Sequence, residues 1–256
     1  MGHTMPALFI GHGNPMYALG HNRFHDGWRS AALELPAPRA VLCISAHFET
    51  QHTYVTGHER PETIHDFYGF PRRLFDVQYP APGSLELARQ VHALVRSRRV
   101  RVDEGRGLDH GCWSVMTALF PRADVPVLQL SLDMSAPPAV HHALGAELAS
   151  LREEGVLLVG SGNLVHNLSR YDFKDPAPLD WAVRADALLW GLVQARDHAA
   201  LCAPGTLGED VRLAVPTLEH YLPLLYVLGA QRDGDAVRTF NDVVEGSMSM
   251  RCVRVG

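Results

Sequence analysis

Short runs of apolar and β-branched residues recur along the chain and end in polar or glycine-containing segments. Four of these runs predict buried strands: Ala7–Ile10, Ala40–Ser45, Val125–Leu132 and Val156–Val159. Because they lack regular alternation with polar positions, they are typical of strands that are covered on both faces. The hydrophobic pattern therefore predicts a central, buried sheet.

Between these runs, apolar residues recur at helical spacing. The clearest segment is Ser84–Arg98, with Ser84 as its N-cap. Pro137–Glu154 opens with proline and closes at Gly155, and Asp180–Arg196 begins at Asp180, the expected cap. Strands that alternate with helices predict an α/β fold with a mainly parallel sheet.

The C-terminal part of the chain has a different pattern. Within Val237–Val255, two β-like runs are separated by Glu245-Gly246, which predicts a hairpin and hence a mixed sheet. The sequence shows no internal repeat and no interdomain linker. We therefore expect residues 1–256 to form a single α/β domain, a mixed, mainly parallel central sheet flanked by helices.

Composition and charge narrow the classes of partner. The chain has 256 residues, and 46% of them are hydrophobic, which is enough for one large core. Its formal net charge is -5. The basic stretch from Arg96 to Arg101 is attributed to a solvated helix end, so nucleic acid is not expected as a partner. No leader or membrane-spanning run is found, and four widely spaced cysteines fit a cytoplasmic protein without disulfides.

Histidine is abundant, with 15 residues, and three of them follow predicted strands. In open α/β sheets, ligands bind beyond the carboxyl ends of the strands, where His12, His47 and His166 would lie. A fourth, His220, is placed early in an apolar helix expected to start at Pro216-Thr217 and to be disturbed by Pro223. Together they favour a metal site, and imidazole ligands suit Zn, Cu, Fe or Ni.

Two further histidines allow two interpretations each. His110 either faces a pocket or caps the helix that follows it, and His65, in an aromatic loop, either lines a planar substrate or covers the core. The Gly-His-Gly and Gly-Ser-Gly segments match a phosphate loop only weakly, since neither has the P-loop lysine. The remaining histidines are interpreted as bystanders: His3, His21, His25, His52, His58, His92, His141, His142 and His198.

A set of motifs resembles the 4,5-DOPA extradiol dioxygenase family, within the class III extradiol ring-cleaving dioxygenases. The motifs span nearly the whole chain in order. They are Gly11-His12-Gly13-Asn14-Pro15-Met16, Ser45-Ala46-His47-Phe48, Thr63 to Pro71, Tyr79 to Gly83, Leu108-Asp109-His110-Gly111, Ser161 to Leu168, and Glu219-His220-Tyr221-Leu222-Pro223. One departure is Asn14, where serine is the more usual residue.

The resemblance implies a metal-dependent enzyme that opens a catechol ring next to its two hydroxyls and inserts both atoms of O₂. It implies that His12, His47 and His220 hold one divalent metal, with Fe(II) expected for activity and Zn(II) compatible with a purified form. His166 would be a further ligand or, like His110, a catalytic acid–base group. His65 and Tyr221 would contact the substrate. The expected partners are a small-molecule catechol and O₂. No association with a membrane is expected, and a homo-oligomer is one possible state of assembly.

Two other functions stay open at this point. If His166 also binds, four imidazoles would form a shell suited to Zn²⁺, and a zinc-dependent hydrolase would use Glu219 or a histidine as its base. A metal-binding or interaction protein on the same fold is the second alternative, because a fold does not fix a function. A requirement for O₂ distinguishes the two enzymes, because a dioxygenase consumes O₂ and a hydrolase works without it.

Overall fold

The computed structural model describes residues 4–20 and 22–256 of the chain, so His3 and His21, interpreted above as bystanders, lie outside the described residues. Ten strands are found in the described part. They are β1 Ala7–Gly11, β2 Ala40–Thr50, β3 Thr53–Thr56, β4 Val100–Asp103, β5 Val127–Asp133, β6 Val156–Gly162, β7 Val237–Phe240, β8 Val244–Glu245, β9 Met248–Ser249 and β10 Cys252–Val255.

Nine α-helices connect the strands in the same described ranges, together with several short 3₁₀ turns. The helices are α1 Arg23–Leu33, α2 Arg72–Phe75, α3 Leu85–Leu94, α4 His110–Leu119, α5 Pro138–Leu148, α6 Asp180–Ala195, α7 His198–Leu201, α8 Glu209–Ala214 and α9 Leu222–Gly229.

Eight strands form one mixed sheet in the order β4-β3-β5-β2-β6-β1-β10-β7. Its centre is parallel, since β2 pairs with β5 and β6, and β6 pairs with β1. β10 and β7 extend it with antiparallel pairs, and β8 and β9 form a separate hairpin. The single-domain α/β architecture with a mixed, mainly parallel sheet is thereby confirmed.

The core lies on both faces of the sheet. Alternate residues of β2 point to opposite faces, as a strand period of two requires: Leu42 and Ile44 join one apolar cluster, and Val41 and Cys43 the other. The first face is covered by α5 and α9 and the second by α1 and α4. This double cover explains why the central strands read as continuous apolar runs.

The observed strands are longer than the hydrophobic runs that predicted them. β2 continues to Thr50 and β6 to Gly162, so His47 and the Gly160-Ser161-Gly162 segment lie within strands rather than after them. The polar and small residues in these extensions break the apolar run without breaking the ladder. Arg96 to Arg101 do not form a helix end, because α3 stops at Leu94 and Val100 already belongs to β4.

The helix caps agree with the sequence at two points and differ at two. Ser84 caps α3 by accepting from the Leu87 amide at 3.1 Å, and Gly155 adopts a φ of 79° after the turn that follows α5. Asp180, expected as a cap, is the first residue of α6. The helix expected from Thr217 begins at Leu222, so Pro223 lies in its first turn, where proline is tolerated.

Candidate metal centre and active-site cavity

A cavity of about 290 Å³ opens beside the carboxyl ends of the central strands. Register places Gly11 of β1 opposite Gly162 of β6, so β1 and β6 end together, and the pairing of β2 with β6 also ends there, at Ser45 and Ser161. Five histidines line the cavity, namely His12, His47, His110, His166 and His220. The position matches the general place of ligands in open α/β sheets.

His12, His47 and His220 form one cluster at the floor of the cavity. His12 follows β1 directly, His47 lies where the pairing of β2 with β5 shifts register, and His220 precedes α9. One ring nitrogen of each lies within 4.8 Å of the others, and the Nε2 atoms of His12 and His47 are 3.1 Å apart. Three imidazoles from three distant segments thus converge on one point.

The second nitrogen of His12 has a fixed role. Ser161 Oγ donates to the carbonyl of Gly111 at 2.5 Å, so it accepts from His12 Nδ1 at 3.0 Å. This places the proton of His12 on Nδ1 and the lone pair on Nε2, which faces His47.

The other two rings have carboxylates on their Nδ1 side. His47 Nδ1 lies 3.8 Å from Asp66 Oδ2, and His220 Nδ1 lies 3.4 Å from Glu219 Oε1. The hydrogen bond to Glu219 orients the His220 imidazole and leaves Nε2 as its donor atom, whereas Asp66 lies too far from His47 Nδ1 for a hydrogen bond. Glu219 also accepts from the Thr217 hydroxyl at 2.8 Å, so it supports His220 rather than forming a second ligand arm.

Electrostatics keep the cluster neutral. Burial, together with the neighbouring imidazoles, lowers the pKa of His12 and of His220 well below the usual value. Burial and the charge of His110 lower the pKa of His47 to about 3. Neutral imidazoles carry the lone pairs that a metal needs, so the donor set fits a divalent cation held by three histidines.

His110 forms a pair with Asp66 at the cavity wall. Its Nδ1 lies 3.0 Å from Asp66 Oδ1, and its backbone amide donates to the same oxygen at 2.9 Å. Burial raises the pKa of the Asp66 carboxyl, but the hydrogen bonds and charge of His110 and the charge of His47 outweigh it and bring the pKa to about 2. Asp66 is therefore an anion beside two cavity histidines.

His110 does not cap the helix that it begins, because Asp109 does so. The buried Asp109 carboxylate accepts from the Cys112 amide, the Ser45 hydroxyl at 2.6 Å and the Gln129 side chain at 2.7 Å. These bonds tie the start of α4 to β2 and β5 and fix where His110 stands.

His166 lies against His220 but is not one of the three clustered histidines. Its ring stacks on His220 with centroids 3.5 Å apart and planes 7° apart, and its own group of candidate donor atoms includes Glu219 and His220. Lone pairs of stacked rings run parallel, so in this arrangement the two rings do not aim at one ion. Burial lowers the pKa of His166 to about 4.

Two glycines allow the site to assemble. A Cβ on Gly162 would lie 2.1 Å from the carbonyl oxygen of His220, and one on Gly111 would lie 2.7 Å from the ring of His47. The Gly-Ser-Gly segment thus allows the backbone before α9 to approach β6, where the Asn163 amide donates to His220 O at 2.8 Å. This close packing replaces the phosphate-loop interpretation.

Two residues expected to contact the substrate lie elsewhere. His65 packs against Trp113 and its Nε2 lies 2.9 Å from the Val77 carbonyl, and Tyr221 is buried with its hydroxyl donating to Leu201 O at 2.8 Å. Neither lines the cavity. In each case the adjacent residue does line the cavity, Asp66 after His65 and His220 before Tyr221.

Sequence reasoning missed Asp66 and the aromatic pair Tyr171 and Phe173, whereas it allowed the aromatic loop around His65 to lie either at a planar substrate or over the core. Asp66 and Phe67 line the cavity and follow His65 directly, so the signal was an acid within the His-Asp-Phe-Tyr-Gly-Phe segment. Asn14 lines the cavity too, and its side chain accepts from the Met16 amide at 2.9 Å to start a 3₁₀ turn. Arg72 and Arg73, which follow this segment, do not line the cavity.

Residues 5–238 match the protein family described as the catalytic LigB subunit of aromatic ring-opening dioxygenase. The chain belongs to the LigB family. The resemblance drawn from the motifs is confirmed, and this LigB-family chain is an extradiol aromatic ring-opening dioxygenase.

Relatives match this chain over nearly its full length. An Escherichia coli K12 protein named 4,5-DOPA dioxygenase extradiol is 44% identical, with 98% of this chain and 95% of that protein covered. A Beta vulgaris protein of the same name is 34% identical, with 94% and 92% covered. A crystal structure of an uncharacterised E. coli K12 protein is similar with a TM-score of 0.87 and 39% identity, covering 98% of this chain and 100% of that one.

These findings do not support the zinc hydrolase alternative, and Glu219, its expected base, is engaged with His220 and Thr217. Oxygen-dependent ring opening on small molecules is instead what the family implies. In the described ranges, every helix is too short or too polar to cross a lipid bilayer.

Proposed function

We propose that this LigB-family enzyme opens a catechol ring next to its two hydroxyls, inserts both atoms of O₂, and depends on one divalent metal held by His12, His47 and His220. The observation that carries the proposal is the convergence of the three imidazoles, with Nδ1 of each beside Ser161, Asp66 or Glu219. For His12 and His220 the hydrogen bonds of Nδ1 hold the ring proton there and leave the lone pair on Nε2. The relatives named 4,5-DOPA dioxygenase support a dihydroxyphenyl substrate.

Fe(II) is the proposed metal. When bound, Fe(II) supplies a Lewis acid with open positions and a redox partner for O₂, which Zn(II) does not supply. Three neutral nitrogen donors, rather than a closed four-ligand shell, suit such an open site. Zn(II) is proposed as an inactive occupant of the same donors.

His110 is proposed as the group that takes a proton from a substrate hydroxyl. The Asp66 carboxylate, with Oδ1 3.0 Å from His110 Nδ1, would stabilise the imidazolium that proton transfer creates. A histidine oriented by a carboxylate is the usual arrangement of a general base.

His166 is proposed to act as a neutral imidazole. Its low pKa, caused by burial, keeps it uncharged near neutral pH, so it can donate one hydrogen bond to a substrate oxygen. Its stacking on His220 holds the ring plane parallel to that proposed ligand. A role as a fourth ligand would require the ring to turn out of the stack.

The described chain is proposed to work as one catalytic domain spanning residues 1–256 in the reducing cytoplasm. Cys43, Cys112 and Cys252 are buried and free, which supports a compartment where thiols stay reduced.

Metal replacement tests the proposal. Metal-free protein is loaded anaerobically with Fe(II) or Zn(II), a catechol is added, and O₂ uptake is recorded with metal content. We expect uptake with Fe(II) and none with Zn(II), and a His220→Ala variant should lose the metal while the exposed His58→Gln control keeps it. Uptake by the metal-free protein, or none with stoichiometric Fe(II), would refute the proposal.

A further inference from the structure

His47 lies in a part of β2 that has lost its regular pairing. The pairing of β2 with β5 shifts register between Ile44 and Glu49, and the pairing of β2 with β6 ends at Ser45. In the described part of the chain, His47 therefore has no opposite residue in either neighbouring strand. An irregularity of this kind re-aims a side chain. The direction of the His47 ring thus depends on what holds its backbone at this point.

Two side chains bond to the backbone of His47 and meet on one carboxylate. Ser45 Oγ accepts from the His47 amide at 3.2 Å, and Arg106 Nη2 donates to the His47 carbonyl at 3.2 Å. The Ser45 hydroxyl then donates to Asp109 Oδ1 at 2.6 Å, and Arg106 Nη2 donates to Asp109 Oδ2 at 3.3 Å. The amide and the carbonyl of His47 are thus both tied to Asp109.

Asp109 in turn determines where His110 stands. Its buried carboxylate accepts from the Cys112 amide at 3.1 Å and caps α4, whose first residue is His110. Gln129 accepts from the Asp109 amide at 2.9 Å and donates to the Asp109 carboxylate at 2.7 Å. The ring centroids of His47 and His110 lie 3.9 Å apart. One buried network therefore joins the strand of a proposed metal ligand to the helix of the proposed base.

Arg106 is the member of this network that bonds to both parts. Its Nη2 atom carries two N–H groups, so it can donate to the His47 carbonyl and to the Asp109 carboxylate at once. The guanidinium lies over the Phe48 ring at 4.0 Å, outside the cavity wall. Because Arg106 does not line the cavity, it can affect the chemistry only through His47 and Asp109.

We infer that Arg106 is a positioning residue, which sets the direction of His47 through its carbonyl and the place of His110 through Asp109. The inference rests on the proposed function, since it concerns a proposed metal ligand and the proposed base. Without Arg106, the Asp109 carboxylate keeps its three shorter hydrogen bonds, so α4 should stay capped. The expected loss is therefore in the geometry of the site and not in the fold.

Zn(II) binding tests this inference without requiring turnover. Metal-free Arg106→Gln and Arg106→Lys are titrated with Zn(II) against a chelating dye. We expect the glutamine variant to bind Zn(II) about tenfold more weakly than the parent protein, the scale of losing a group that orients a metal ligand. The lysine variant should lose less, because an ammonium keeps the positive charge and can keep one of the two bonds.

Arg101→Gln is the matched control. Arg101 belongs to β4 and does not line the cavity, and its guanidinium bonds to the Tyr54 hydroxyl at 3.1 Å. The variant therefore makes the same change of net charge without touching the network of Asp109. It should bind Zn(II) as tightly as the parent protein. An Arg106→Gln variant with the same affinity as this control would overturn the inference.

Co(II) distinguishes a positioning role from a merely structural one. Bound at the same donors, Co(II) reports its coordination geometry in its visible spectrum. We expect Arg106→Gln to change that spectrum, while the urea concentration at its unfolding midpoint stays with that of Arg101→Gln. A lowered urea midpoint together with an unchanged Co(II) spectrum would overturn the inference.

Turnover tests the part of the inference that concerns His110. At saturating Fe(II), Arg106→Gln should lose kcat about tenfold with 4-ethylcatechol and keep KM within about twofold, because a displaced base slows proton transfer more than it weakens binding. Arg106→Lys should recover part of kcat. An Arg106→Gln enzyme with the kcat of Arg101→Gln would overturn this part.

The inference and the proposed function fail differently. If Arg106→Gln weakens Zn(II) binding and changes the Co(II) spectrum, but the Fe(II)-loaded parent enzyme consumes no O₂ with a catechol, ring cleavage is refuted and the positioning of His47 stands. If the parent enzyme consumes O₂ and Arg106→Gln matches Arg101→Gln in metal affinity, spectrum and kcat, the positioning role is refuted and the proposed function stands.

Discussion

Each of the three clustered histidines, His12, His47 and His220, has a polar partner beside its Nδ1 atom. A hydroxyl, that of Ser161, serves His12, and carboxylates lie beside Nδ1 of the other two rings, Glu219 at 3.4 Å from His220 and Asp66 at 3.8 Å from His47. The hydroxyl serves because its own proton is already donated to Gly111 O. These partners are as important to the site as the histidines themselves.

Asp66→Asn tests the role of the carboxylate that holds His110. The amide retains an acceptor for the His110 backbone but does not stabilise an imidazolium, so we expect kcat to fall about 10²-fold with little change in KM. The pH–rate profile of the Fe(II) enzyme should change shape on its acidic side. Steady-state O₂ uptake across a pH series measures both.

The control for this variant is Asp76→Asn, which removes an exposed carboxylate nearby in sequence that pairs only with Arg72 on the surface. It should leave kcat and its pH dependence unchanged. A kcat for Asp66→Asn within twofold of the parent enzyme would mean that Asp66 is merely structural.

At the scale of elements, the ends of strands decide where the chemistry lies. The apolar runs Ala40–Ser45 and Val156–Val159 identified β2 and β6, but not the polar extensions that carry His47 and Ser161. Backbone hydrogen bonds to the neighbouring strands hold these extensions in the sheet, and the hydrophobic pattern of the sequence does not reveal such bonds. The predicted start of α9 is wrong because Pro216 and Thr217 are residues typical of a helix start, whereas Leu222, where the helix begins, is not.

What the sequence could predict was the set of cavity histidines, because strand ends meet at one edge of a sheet whatever the connections. What it could not predict was which neighbours turn inward. His65 and Asp66 are adjacent, yet only Asp66 reaches the cavity, since the extended loop sends their side chains to opposite sides. Tyr221, which follows His220 and has helical rather than extended backbone angles, is buried in the core, where its hydroxyl donates to Leu201 O.

Gly162→Ala tests the close contact between β6 and the segment before α9. The added methyl group would lie 2.1 Å from His220 O, so the backbone that carries His220 must move. We expect a loss of about 1–3 kcal/mol in the free energy of unfolding and weaker metal binding. Urea unfolding and metal titration measure the two effects separately.

Gly191→Ala is the matched control, because Gly191 lies in α6 and a Cβ there meets nothing within 4 Å. It should stabilise the protein by about 0.5–1 kcal/mol and leave metal binding unchanged. If Gly162→Ala bound metal as tightly as this control, the packing of the strand would not position His220.

At the scale of the whole molecule, the cavity histidines lower the stability of the metal-free protein at acidic pH. Four imidazoles have pKa values below the usual value, so at acidic pH the unfolded chain binds protons there that the folded chain does not. The stability of the metal-free protein should thus fall as pH drops below about 6.5, and continue to fall towards the folded pKa values of about 3 to 4 for His47 and His166.

The size of this effect is measurable by urea unfolding of metal-free protein at several pH values. Each such histidine contributes up to about 1.4 kcal/mol per pH unit in that range and nothing above it. His166→Gln should reduce the slope, and saturating Zn(II) at neutral pH should raise the free energy of unfolding by mass action. A metal-free protein whose stability does not fall below about pH 6.5 would contradict the neutral, buried cluster.

The most direct test of the central claim is the stoichiometry of one reaction. Fe(II)-loaded enzyme is given a limiting amount of 4-ethylcatechol, and O₂ consumption and the product mass are measured together. The account predicts one O₂ consumed for each catechol and a product heavier than the substrate by both oxygen atoms. A product that gains one oxygen, gains water, or only loses hydrogen to become a quinone would contradict ring opening by this three-histidine site.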